Sequence, residues 1–372
     1  MSKSPATSQK VNLDNFLPSI FIIAFLVVGF IPNIGAVDKI APQWLYLSIL
    51  NIICASYLLY RRSHFSDGII NIIRTPISIF YLVFFFWAFL SYFYAINSTE
   101  VLVNMARQSN TVFMYFHIAI FVFNIKNKNI LISWLMTIIL SIEVYSVFNQ
   151  AIQMIESSGV ITPGLLKGVT ANRNITAFSI ALKIPFVFYL LYKLKNKFIV
   201  IVLVVLILFC LLDISMISSR ASFIAVGIIF IGYLFLCIYK LKFAEIKDTI
   251  FKSVYRISLF IVPFILAIFI NQIYFSSKGA DAISRAGTIS IAKSDESISK
   301  RLRYYEDVLN HMASNPIFGT GIGNWKLESI KYDRLDIDGY VVPYHAHSDF
   351  IQIGAELGFV GFFLYLFIFI SA

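Results

Sequence analysis

From Phe16 the sequence runs as a series of apolar stretches, most of them long enough to cross a bilayer, with the charge gathered between them. Nothing else in it constrains the fold as strongly. A lipid core offers no water to backbone N–H and C=O groups, so only helices or closed barrels satisfy them there. Barrel strands alternate apolar and polar residues, whereas these runs are apolar on all sides. The expected class is therefore all-α, a polytopic membrane protein. Composition agrees, with 59% hydrophobic and 13% charged residues and a mean hydropathy of +0.80.

Ten candidate spans can be marked: Phe16–Ile34, Trp44–Tyr60, Pro76–Ile96, Thr111–Ile125, Ile130–Ile155, Ile175–Tyr192, Phe198–Ile217, Ala221–Tyr239, Ile257–Phe275 and Gly358–Ala372. The Thr111 run is short unless it extends back over Gln108. The last run falls below the roughly 20 residues a crossing needs, so a span truncated at Ala372 is expected.

With the N-terminus cytoplasmic, the inner segments hold Lys3, Lys10, Arg61, Arg62, Arg74, Lys126, Lys128, Lys193, Lys195, Lys197, Lys240, Lys242, Lys247, Lys252 and Arg256. The outer short loops hold only Lys39, Arg107, Lys167, Arg173 and Arg220. Cytoplasmic loops are enriched in Lys and Arg, so this bias sets the orientation. Three parts are expected: a membrane domain over 1–275 with nine spans, a large external loop over 276–347 that contains an amphipathic helix, and the start of a further span over 348–372. The net charge of +10 then has a topological origin and calls for no nucleic acid. Cys54, Cys210 and Cys237 lie inside apolar runs without C-x-x-C spacing and imply neither a disulfide nor a zinc site. No internal repeat is visible, which lowers a transporter reading built on inverted repeats.

Against this background a few polar residues need a reason. Arg220, in "SSRASF", sits between two apolar runs with almost no loop. It can snorkel to the interface or form an anion site at the outer leaflet, and Asp213, about two turns upstream, can share its face and neutralise it. Lys183 lies deep in a span, where charge is either functional or paired, here with Glu143 or Asp213.

In the external segment, residues 276–299 read as a flexible loop without chemistry. From Ser299, a candidate N-cap, Leu302, Tyr305, Val308, Leu309 and Met312 recur at helical spacing, with Pro316 beyond the stop. Arg301 falls in the first turn of that helix, either solvated or at an entry that favours anions. "FGTGIGNW" has neither the strand context nor the G-K-[ST] of a nucleotide site and reads as a tight turn, with Trp325 near the interface. Asp333, Asp336 and Asp338 lack calcium-loop spacing. His345, His347 and Asp349 lack a fourth local metal ligand and suit proton transfer or charge stabilisation better.

Three blocks together resemble the O-antigen ligase and O-antigen polymerase superfamily of bacterial envelope glycan transferases, which includes protein O-oligosaccharyltransferases. "NRNITA" resembles its N-x-N-x-x-A, giving Asn172 and Asn174, and "SSRASF" its S-R-[GA] turn, giving Arg220. The most specific block runs from the arginine helix through P-x-x-G-x-G-x-G-N-aromatic to "HSDFIQIGAELGFVG", a histidine followed by an A-E-x-G span entry. In that register the arginine is Arg301 and the histidine is His347. Tyr305 stands where many members have tryptophan, and Arg173 where proline is common.

The resemblance implies transfer of a glycan from a polyprenyl diphosphate lipid to an acceptor on the external face of the bacterial inner membrane. The acceptor would be lipid A core, a growing glycan or a protein, and neither cofactor nor metal is implied. Arg220 and Arg301 would hold the diphosphate, with Asn172, Asn174, Arg303, Tyr305 and His345 also at the substrate. His347 would activate the acceptor hydroxyl, supported by Asp349, Glu356 and Lys183. A lipid-linked glycan transporter and a non-catalytic assembly scaffold are the competing classes. The external segment with a histidine at its rim favours an enzyme.

Overall fold

The computed structural model describes residues 13–170, 172–242, 249–288, 296–333 and 344–372. The readings on Lys3, Lys10, Lys247, Asp336 and Asp338 lie outside the described residues, as does the side chain of Asp333.

Among the described residues there are helices and turns but no strand. The chain begins with α1 (Leu13–Val27), α2 (Ala41–Tyr60), α3 (Arg62–Ile73), α4 (Pro76–Leu90) and α5 (Ser98–Asn124). It continues with α6 (Lys128–Ser158), α7 (Arg173–Lys193), α8 (Lys197–Ile217), α9 (Arg220–Lys242), α10 (Ile250–Ile270) and the short α11 (Ala282–Gly287). It ends with α12 (Glu296–Ser314), α13 (Trp325–Asp333) and α14 (Asp349–Ile370). Eight helical stretches among the described residues, α2, α4 continued to Phe93, α6 to α9, α10 continued to Lys278, and α14, are long and apolar enough to cross a membrane, and Phe16–Phe30 is a shorter apolar stretch. The expected Thr111 span is the second half of α5, which starts at Ser98 because Asn97 caps its Thr99 and Glu100 amides. Its first half carries Glu100, Asn104 and Arg107, so α5 is long without being uniformly apolar.

The chain divides into two compact units, Met1–Lys126 with Ile291–Ala372, and Asn127–Ser290. In the first, Phe84, Ala88, Val101, Met105, Ile322 and Leu357 form a core where α14 packs on α4. In the second, α7 packs between α6 and α8, with Ile180, Ile184, Val187, Leu203 and Ile207 among its buried residues. Lipid is as apolar as these side chains, so close packing and internal hydrogen bonds hold such helices together. Lys183 is one of those bonds. Its Nζ lies 2.9 Å from Glu143 Oε2 and also donates to the Ser179 carbonyl at 3.2 Å.

Two local expectations are corrected. The stretch 276–299 is not all loop: it contains the turn Ser276–Lys278, α11 and the start of α12. Asn271 explains part of this order, because its buried amide donates to the Ala280 carbonyl and its Oδ1 accepts from the Ala282 amide. Asp213 and Arg220 do not share a helix face. The chain leaves α8 at Ser218, at φ +54°, and Arg220 opens α9. Asp213 is fully buried, and neither carboxyl oxygen has a hydrogen-bond partner among the described residues.

Candidate active site

In the first unit, α12 is fixed by Val308 and Met312, which are buried with Trp325, Ala346 and Ala355. Leu302 and Leu309, expected on the same apolar stripe, are exposed. The helix already runs at Glu296, so Ser299 lies inside it and Arg301 is beyond its first turn. The expected anion site at the helix entry therefore does not involve Arg301 through free N–H groups. Arg301 is exposed on that helix.

The glycine string has a definite task. At Gly358, φ +67° and ψ −171° break the helical path of α14, and the break frees backbone groups that a straight helix would pair. The turn that follows α12 satisfies them. Thr320 and Gly321 amides donate to the Ala355 and Glu356 carbonyls at 3.1 and 2.8 Å, and the Phe359 amide donates to the Pro316 carbonyl at 2.8 Å. Trp87 Nε1 donates to the Leu357 carbonyl at 3.1 Å. Backbone approaches this close demand glycine: a Cβ on Gly319, at φ +63°, would lie 2.6 Å from the Glu356 carbonyl carbon. Trp325 lies in the core with His311 and Tyr332.

Glu356 is buried beside this turn and accepts from the Gly323 amide at 2.8 Å, the Trp325 amide at 3.4 Å and Gln352 Nε2 at 3.1 Å. Gln352 Oε1 in turn accepts from the Ala346 amide at 3.4 Å and lies 3.3 Å from His345 Nδ1. A chain of polar contacts thus leads from the glycine turn to the H-A-H stretch.

His347 itself sits at φ +58°, a left-handed conformation that turns the chain into α14. Its ring stacks on Tyr304, with centroids 5.9 Å apart, and the Tyr305 hydroxyl reaches its carbonyl at 3.5 Å. Shielding of the imidazole from water, followed by the charges of Arg301 and His345, holds its pKa below the usual 6.5. The neutral, proton-accepting form is therefore favoured near neutral pH. Arg303 lies 5.4 Å from the Tyr304 ring centre. Asp349 is exposed at the start of α14.

In the second unit, Arg220 Nη1 donates to the Thr288 carbonyl at 3.1 Å. Asn172 is the N-cap of α7, its Oδ1 accepting from the Asn174 amide at 2.8 Å, and both asparagines are exposed. Lys183, about 15 Å along the helix from Arg173 at 1.5 Å per residue, is engaged by Glu143. Among the described residues, no three His, Cys, Asp or Glu side chains gather as a metal site would require.

Each unit thus gathers part of the expected set. Arg301, Arg303, Tyr305, His345, His347, Asp349 and Glu356 cluster along α12 and the entry to α14, while Arg220 stands at the entry to α9. Sequence reasoning missed Tyr304 and Gln352. Gln352 had a signal, since it lies four residues before Glu356 on a helix.

Residues 205–366, less than half of the chain, match the sequence model of the O-antigen ligase family. The matched interval contains Arg220, Arg301 and His347. No curated protein and no solved structure matches the chain.

Proposed function

We propose that the chain, whose residues 205–366 match the O-antigen ligase family, moves a glycan from a polyprenyl diphosphate lipid to a hydroxyl acceptor at the outer face of the inner membrane. The observation that carries this reading is His347: a ring stacked on Tyr304, with its pKa held down by shielding and by Arg301. Such a histidine suits a general base that must be neutral to work.

In this reading His347 takes the proton of the acceptor hydroxyl as its oxygen attacks the anomeric carbon. The bond from that carbon to the diphosphate oxygen breaks, and the leaving diphosphate carries away the electron pair. Arg220 and Arg301 stabilise the charge that develops there, because a guanidinium stays protonated and its fork of donors matches phosphate oxygens. Gln352 and Glu356 fix the H-A-H stretch through Ala346 and His345. The external face follows from the lysine and arginine bias of the loops.

The test is transfer by the purified protein of a labelled polyprenyl-diphosphate glycan offered lipid A core, glycan repeat units on the same carrier, and envelope protein. Product on one acceptor, lost when Arg301 is changed to Gln, is the expected result and identifies the acceptor. No product on any of the three, with the glycan lipid still bound, would overturn the reading in favour of a transporter.

A further inference from the structure

Within the second unit a cavity of about 790 Å³ lies between α7, α9 and α10. Arg220 opens α9, and Lys240, which borders the cavity, stands about 30 Å from it along the axis at 1.5 Å per residue. That length is about the thickness of a bilayer's hydrocarbon core. The cavity therefore sits at the membrane boundary opposite Arg220, on the side that the lysine and arginine bias makes cytoplasmic. Toward the middle of the helices its walls are apolar. Phe188 stacks on Tyr233 with ring centroids 4.3 Å apart, and Ile229, Phe235 and Leu236 continue the surface. Gly232 keeps this groove open, since a Cβ there would face empty space.

Toward the helix ends the lining turns basic. Lys193 in the last turn of α7, Lys240 in the last turn of α9 and Arg256 in α10 all border the cavity, and among the described residues its lining holds no carboxylate. Lys193 Nζ and the Arg256 guanidinium lie 5.7 and 4.4 Å from the centre of the same Tyr192 ring. An aromatic face attracts cations but carries no net charge, so it does not neutralise Lys193. Lys240 has no hydrogen-bond or ion-pair partner among the described residues. Arg256 is engaged beyond the ring as well, so it adds only to the local positive potential. The outer side of α9 is apolar and exposed at Ile228, Ile231, Phe235 and Leu236, which opens the groove to lipid rather than to water.

We propose that this groove binds an anionic phospholipid of the cytoplasmic leaflet, with the phosphate between Lys193 and Lys240 and an acyl chain along Phe188, Phe235 and Leu236. Charge and shape choose the occupant together. A basic rim between membrane helices on the cytoplasmic side suits an anionic lipid head, whereas a zwitterionic head would bring its own cation against the lysines. The apolar groove gives a chain a place that a soluble anion could not use. A lysine at a helix end that merely snorkels needs no such groove beside it.

Native mass spectrometry of the purified full chain, titrated in detergent with phosphatidylglycerol, tests this directly. Phosphatidylcholine with the same acyl chains and inorganic phosphate serve as comparison probes. Lys193→Gln with Lys240→Gln should weaken phosphatidylglycerol binding roughly tenfold or more, the effect of losing charged hydrogen-bonded contacts. Lys193→Arg with Lys240→Arg keeps both charges and should bind nearly as wild type, which separates charge from a disturbed fold. Gly232→Leu fills the groove without touching either lysine and should weaken the same lipid while the melting temperature holds. Wild-type affinity in the double Gln variant would overturn the proposal, as would phosphatidylcholine bound as tightly as phosphatidylglycerol. Unchanged binding in Gly232→Leu would mean lipid on the outer surface alone, and displacement of the lipid by equimolar inorganic phosphate would mean a soluble-anion site; either result rejects the groove. No readout involves glycan transfer, so the outcome is independent of the activity proposed above.

Discussion

At the scale of single residues, the arginines and His347 carry the sharpest expectations. Lysine offers a point charge where arginine offers a fork, so Arg220→Lys and Arg301→Lys should each lower transfer by roughly 10- to 100-fold, the equivalent of one charged hydrogen-bonded contact. Initial rates with labelled lipid-linked glycan check this, and full activity in both variants would end the clamp hypothesis. His347→Gln should leave prenyl diphosphate binding intact while reducing turnover by about 10²–10⁴-fold, the usual share of a general base. The pH profile gives an independent reading. The His347 pKa lies below 6.5, so the base form persists down through neutral pH and is lost only as the imidazole takes up a proton below that value. Activity should therefore stay level above about pH 6.5 and fall on the acid side. Arg301→Gln removes one of the charges that depress the pKa, so the acid limb of its residual activity should move to higher pH. A limb that stays in place would mean that Arg301 does not act on the imidazole.

At the scale of elements, the broken α14 and the glycine turn form one device. The break at Gly358 exposes backbone groups, and the Pro316–Gly321 backbone occupies them. A Cβ at Gly358 would meet the Pro316 carbonyl oxygen at 2.8 Å in a left-handed conformation. Gly358→Ala should therefore cost about 1–3 kcal/mol or more in stability, read as a lowered melting temperature of the purified protein. A variant as stable as wild type would show that the turn is not locked in this way. Gln352→Leu is a milder probe. It cuts the link between Glu356 and the H-A-H stretch, so kcat should fall while KM for the donor and the melting temperature stay close to wild type.

At the scale of the whole molecule, the pairing of Lys183 with Glu143 belongs to the packing of α6 on α7. Breaking such a pair on one side leaves a buried charge without its partner, at about 3–5 kcal/mol. Lys183→Met should therefore destabilise strongly, and the double variant Lys183→Met with Glu143→Leu should recover most of the loss. A double variant as unstable as the single one, or one that keeps its stability but loses transfer, would give Lys183 a different role. Orientation is a second property of the whole chain. All three native cysteines are buried, so a single cysteine introduced at the exposed Ser314 reports cleanly. An impermeant thiol reagent should label it in intact spheroplasts, and protection there with labelling only after lysis would reverse the assigned topology.

Long apolar runs determined the helical membrane class by themselves, because backbone in lipid has few ways to be satisfied. The positions of Arg220, Arg301 and His347, to which the proposal gives the chemistry, were also legible, because each sits within a short contiguous motif. Tertiary structure decided the rest. Asp213 shares no face with Arg220, because one left-handed residue, Ser218, ends a helix that periodicity would have continued. Glu356 is tied to the glycine turn, and His347 stacks on Tyr304 across more than forty intervening residues, through contacts that no local spacing encodes. The groove rimmed by Lys193 and Lys240 is the clearest case. Its lining comes from three helices of the second unit, and only the packing of α7, α9 and α10 brings their charges to one cavity.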